Sequence, residues 1–238
     1  MTTDAPPRWL PDLPITWNGH CFLLKPSSPY AEGQPIQRTF EQVTNDVHHP
    51  RHRIQRRSPE VRRALCATLR SAYHPIQGGR GPWVPDHDCY KPFRSTIGPL
   101  LEHTLWQSHA VIAAPFIAFL PRRPIAGFID AIVQHPEGDV GVVTLHTCRR
   151  EDQLVSAART ELGGLIASLA DHQVVYVNHA ITVWASPGNT EVEYHHPDIC
   201  LSHWVDALDL SQFTARLTSR PQVSAAADHA PADPAGIR

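Results

Sequence analysis

One acid interrupts a long apolar stretch: Asp130, in Gly127-Phe128-Ile129-Asp130. Beyond a His135-Pro136-Glu137-Gly138 turn the chain resumes as Val142-Val143-Thr144-Leu145-His146-Thr147. A carboxylate on one strand facing a hydroxyl and an imidazole on the next has the means to hold a hard cation or to move a proton. Carboxylate oxygens suit Mg²⁺, and an imidazole with an ordinary pKa of about 6.5 serves as base or ligand. Glu102, Gln153 and Glu161 add polar groups on the flanking segments. A second chemistry is concentrated elsewhere. Arg51, Arg53, Arg56, Arg57, Arg62, Arg63 and Arg70 crowd one segment beside His48, His49 and His52, a composition that suits phosphate oxygens. Lys25 and Lys91 are the only lysines, which leaves few candidates for a catalytic ammonium.

These residues need elements to position them. Ser58 as N-cap, Pro59 at the first helical position and Glu60 near the positive dipole end predict a helix over Ser58 to Ser71, with Val61, Leu65 and Leu69 on its apolar face and arginines opposite. A Gly- and Pro-rich loop follows from Pro75 to Pro92, then a helix over about Ser95 to Gln107. Three extended segments come next, His109 to Leu120, Ile125 to Gln134 and Asp139 to Thr147. Pro115 places a bulge or an edge in the first. Glu151 to Asp171 has strong helical periodicity; Gly163 and Gly164 cost it about 1 kcal/mol each relative to alanine, which implies close packing there. Val174 to Ala185 is apolar enough for a strand buried on both faces. A short strand, Glu191 to Tyr194, and an amphipathic helix over about Cys200 to Leu217 complete the pattern.

Composition bounds the remainder. The 238 residues suffice for one sizeable core, and 42% hydrophobic with 18% charged residues is ordinary for a globular chain. No apolar run approaches the roughly 18 residues of a membrane span. The N-terminus has no charged start followed by an apolar stretch, so the cytoplasm is the expected compartment and no membrane partner is expected. Five scattered cysteines, an odd number without a Cys-x-x-Cys pair, are expected to be reduced thiols. A net charge of −2 excludes electrostatic capture of nucleic acid by the whole molecule, leaving the arginine segment as the local site. Residues 1–15 form a Pro-rich segment, 16–94 an N-terminal helical and loop extension, 95–218 the core, and 219–238 an expected disordered tail of Ala, Pro, Asp and Ser.

The order helix, three strands, helix, strand, with an acid in the second strand, resembles the core of the PD-(D/E)XK nuclease superfamily, in particular its RecB-type branch. The resemblance spans about Ser95 to Ala185. Gly127-Phe128-Ile129-Asp130 is similar to that branch's Gly-x-(Ile/Val)-Asp, and Gln153-Leu154 sits where it has a Gln-Leu pair opening the next helix. Glu102 occupies the place of a glutamate that faces the metal. The expected acid-x-lysine is replaced by Thr144 and His146, and Ala157 stands where a tyrosine is often found. The implied fold is α/β, a mixed central sheet flanked by helices in a restriction-endonuclease-like αβββαβ core. The implied activity is metal-dependent cleavage of DNA. Asp130 and Glu102 would then hold Mg²⁺ or Mn²⁺, His146 would replace the lysine, and Thr144 would replace an acid through water. Gln153 would line the site, and Arg56, Arg57, Arg62 and Arg63 would bind phosphates.

Other readings stand beside this one. A scaffold or a module binding nucleic acid or protein can keep such a fold without catalysis. Asp130 can pair with an arginine such as Arg122, Glu102 and Gln153 can be solvated helix residues, and His146 can face solvent from its strand. Zinc-ligand residue types meet in His87-Asp88-Cys89, in His146-Thr147-Cys148 and in His195-His196-Pro197-Asp198-Ile199-Cys200 with His203, but none has the paired spacing of a zinc finger. A structural Zn²⁺ in an interaction domain is thus a third expectation. No nucleophile elbow supports a serine or cysteine hydrolase.

Overall fold

Alternating apolar residues build strands wherever the chain crosses the middle of the molecule, and Pro or an acid breaks them where it must turn. The computed structural model describes residues 13, 15–18, 22–25, 36, 38–52, 65–66, 68–69, 93–172 and 176–218, with side chains up to Ser211. The elements are β1 (Ile15–Trp17), β2 (Phe22–Leu24), β3 (Arg38–Thr39), α1 (Phe40–Val47), α2 (Arg94–Glu102), α3 (Leu105–Ser108), β4 (Ala110–Ala113), β5 (Phe116–Leu120), β6 (Ile125–Ile129), β7 (Ala131–Gln134), β8 (Val140–His146), α4 (Asp152–Asp171), β9 (His179–Ser186), β10 (Asn189–His195) and α5 (Pro197–Thr218). The chain is a mixed α/β protein whose mixed sheets are flanked by helices. Among the described residues no helix is long and apolar enough to cross a membrane.

The main sheet has the order β10-β9-β8-β7-β4, with β8 and β9 parallel and the other pairs antiparallel. A second sheet, β3-β6-β5, and the β1-β2 hairpin are separate from it. Two of the expected extended segments therefore divide. Between β4 and β5 the Ala114-Pro115 bond is cis, and β4 already shifts register between Val111 and Ala113. The Ile125 to Gln134 segment bends at Asp130, so that β6 pairs with β5 and β3 while β7 pairs with β4 and β8. The helix expected over Ser95 to Gln107 also divides, into α2 and α3, at His103 and Thr104.

Side-chain alternation gives the main sheet two buried faces. Val133, Val143, Leu145, Ile181 and Val183 pack with Ile97, Leu100, Leu105 and Trp106 of α2 and α3, and with Leu65 and Leu69. Those last two residues, with Cys66 and Thr68, are helical, as expected for the Ser58 to Ser71 segment at these positions. Ile132, Val140, Val142 and Ala180 pack on the other side against Leu162, Leu165 and Ile166 of α4. β9, seven of whose eight residues are buried, lies between β8 and β10, in keeping with its apolar sequence.

α4 and α5 meet across the glycine pair. A Cβ on Gly163 would collide with the Cys200 carbonyl oxygen, and one on Gly164 would lie 2.6 Å from Phe40 Cδ1 and 2.9 Å from Trp204 Cε3. The helix-propensity cost of these glycines thus has the packing reason expected from the sequence. α1 opens with a capping box in which Thr39 accepts from the Gln42 amide and the Gln42 side chain accepts from the Thr39 amide.

Candidate functional site

Asp130 sits at the bend between β6 and β7 and is fully buried. The ladder Ala131↔Val143 is the last rung between β7 and β8 before β6 departs to the other sheet. Beyond it the Leu145 amide points toward a strand that is no longer alongside. Asp130 Oδ2 accepts that N–H at 2.7 Å, so the carboxylate stands in for the missing backbone acceptor. The Cys66 thiol lies 3.2 Å from the Asp130 carbonyl oxygen and 3.9 Å from Oδ1. Arg122, the alternative partner, instead lies 3.9 Å from Asp171.

Thr144 and His146 project from β8 on the α4 side and are buried, so His146 is not the solvent-facing strand residue of the alternative reading. His146 stacks on Trp184 of the neighbouring strand, ring centres 4.5 Å apart and planes inclined by 27°. Its Nε2 lies 4.0 Å from Glu161 Oε2 of α4, with the two side chains 2% and 4% exposed. Glu161 thus becomes the acid that faces the imidazole, across the helix rather than across the strands. Thr144 Oγ1 and Trp184 Nε1 have no hydrogen-bond partner among the described residues.

The remaining expected site residues are placed differently. Glu102 ends α2 and is exposed. Gln153, in the first turn of α4, is also exposed and its side-chain amide donates to the Glu151 carboxylate. Arg56, Arg57, Arg62 and Arg63 lie outside the described residues, as do most of residues 1–15, the loop from Pro75 to Pro92 and residues 219–238.

A second polar group crosses the same face nearer α5. Thr182 Oγ1 lies 3.0 Å from His195 Nε2, Arg159 Nε donates to His195 Nδ1 at 3.1 Å, and Arg159 and Arg150 flank Glu193 at 3.9 and 3.4 Å. Burial lowers the His195 pKa; Glu193 opposes this, while Arg159, Arg150 and His203 reinforce it. Burial pushes the Cys200 thiol up to about 12, against the pull of Arg159, so this cysteine is a protonated core residue. His48 is held below its ordinary value first by burial, then by His203 and His52.

These placements do not assemble the donor set that the resemblance implies for Mg²⁺ or Mn²⁺. Asp130 is closed off and already accepts a backbone amide, Thr144 is neutral and buried, and Glu102 faces solvent. Among the described residues, no group of three or more His, Cys, Asp or Glu side chains is arranged to hold a metal ion. What the buried arrangement can do is fix the meeting of two sheets and seat α4 on the main one. No known family model matches this chain, and none of the curated proteins matches it.

Proposed function

We propose that this chain is a nucleic-acid-binding module on a restriction-endonuclease-like core, related in layout to the PD-(D/E)XK superfamily, in which metal-dependent cleavage has been lost. The observation that supports the loss is the use of Asp130. Phosphodiester hydrolysis by this class of site needs a carboxylate open to metal and substrate, and here it completes the β8 hydrogen bonding from a buried position. The Thr144 and His146 replacements point the same way, because neither restores the anionic ligand or the ammonium. In this reading Arg56, Arg57, Arg62 and Arg63 supply phosphate contacts, and affinity falls with salt as counterions return to the nucleic acid.

The test uses labelled single- and double-stranded DNA with Mg²⁺ or Mn²⁺, the full chain, its Asp130→Asn variant, and a variant with all four arginines changed to serine. The expected result is salt-sensitive binding without cleavage by any of the three, with binding weakened only in the arginine variant. Metal-dependent cleavage by the parent that disappears in Asp130→Asn would overturn the reading. So would the absence of binding to either DNA.

A further inference from the structure

At the opposite end of the main sheet from His146, the strand ends bring together imidazoles that are far apart in sequence. His109 precedes β4, His135 follows β7, Asp139 precedes β8, and His179 begins β9. Because the sheet order is β9-β8-β7-β4, these four residues form a row along one edge of its end. The His109 and His135 ring centres are 5.3 Å apart, those of His109 and His179 6.5 Å, and His179 Nε2 lies 3.7 Å from Asp139 Oδ2.

Those separations have a chemical scale. With Zn–N bonds of about 2.0 Å, two imidazoles on one tetrahedral ion have ring centres about 5 Å apart, and two donor atoms about 3.4 Å apart. The His109–His135 and His179–Asp139 separations are close to these values, while His109 and His179 stand farther apart, at 6.5 Å. His109 is also oriented as a ligand is: its Nδ1 lies 3.1 Å from the Leu105 carbonyl oxygen and 2.9 Å from Ser108 Oγ. Donation from Nδ1 to that carbonyl leaves the Nε2 lone pair for a ligand, the pattern by which metal-binding histidines are held. In the arrangement seen, no three donors meet at one point. His135, His179 and Asp139 are 34%, 39% and 45% exposed at the side chain, which leaves room for other rotamers.

We propose that His109, His135, His179 and Asp139 form a site for a borderline divalent transition metal of the zinc class. An ion there would tie together the ends of β4, β7, β8 and β9. None of the short-spaced His and Cys runs of the sequence takes part.

The experiment titrates the untagged full chain with Co²⁺, following the visible absorption of tetrahedral cobalt, and with Zn²⁺, following heat of binding and melting temperature. The expected result is a saturable cobalt spectrum, a higher melting temperature with Zn²⁺, and an affinity at least about tenfold lower in each of His109→Ala, His135→Ala and His179→Ala. His49→Ala should bind as the parent does. Should His109→Ala fold poorly, His135→Ala and His179→Ala decide the matter, since both rings are half-exposed. Parent-like binding by those two variants, or the absence of saturable binding by the parent, would overturn the proposal.

Discussion

The two ends of the main sheet carry the same chemical types under opposite conditions. At one end His146 and Glu161 face each other 4.0 Å apart beneath α4, with side chains only 2% and 4% exposed. At the other, His179 and Asp139 lie 3.7 Å apart with 39% and 45% exposure. The closed pair is part of the packing: its imidazole lies on Trp184 and its carboxylate belongs to the helix that covers the sheet. The open pair is reachable from solvent. Residue type and proximity therefore do not distinguish a structural group from a reactive one in this fold. Access does.

The contrast breaks first, and most visibly, under truncation. His146→Ala removes a buried ring and leaves Trp184 without its stacking partner, which should cost about 3 kcal/mol by comparison with other large-to-small core changes. The same change at His135 should stay within about 0.5 kcal/mol. Urea unfolding of the two variants measures both, and equal losses would show that the ends are not different in kind.

A smaller effect separates charge from hydrogen bonding at the sheet junction. Asp130→Ala strands the Leu145 N–H in the core and should cost about 2 kcal/mol. Asp130→Asn keeps a carbonyl oxygen for that amide and should recover a large part of the loss. If the two variants melt together, the Leu145 bond is not what Asp130 contributes.

Acid should have the mildest effect, and it sharpens the comparison. Burial lowers the folded-state pKa of His109, His48 and His195 from their ordinary value near 6.5. Each contributes stability above the unfolded-state value; as pH falls through about 6.5 the unfolded chain takes up protons first, and that stability is lost. Melting temperature should therefore decline from pH 7.5 to pH 5. His109→Gln should flatten the part of the decline that comes from the open end, and a profile unchanged by this substitution would remove His109 from the cause.

Much of the layering was legible in the chain. Helical periodicity placed Glu151 to Asp171 within one residue of α4, the apolar run ending at Ala185 marked the buried strand, and the glycine pair announced a close helix contact. α1 is hard to read from the sequence although Thr39 and Gln42 carry a capping box, because its apolar residues are few and the neighbouring arginines dominate the segment. The break at Asp130 was hidden for a different reason. Local alternation continues smoothly from Ile125 to Gln134, and only the partners of each half reveal that the chain changes sheets. The alternative of a solvent-facing His146 does not hold, because alternation tells which side of a sheet a residue occupies, not what covers that side. The open end was illegible in principle, since positions 109, 135, 139 and 179 become neighbours only through strand order.

The missing methyl groups at Gly163 and Gly164 have a reach beyond the two helices they join. They admit α5 close enough for the Cys200 backbone and Trp204 to lie where side chains would otherwise stand. That contact sets the rotation of α5 about its own axis, and rotation decides which residues are presented outward. Ile199, Val205 and Leu210, each more than half exposed, face solvent because two hydrogen atoms on the opposite helix leave the room that fixes them there.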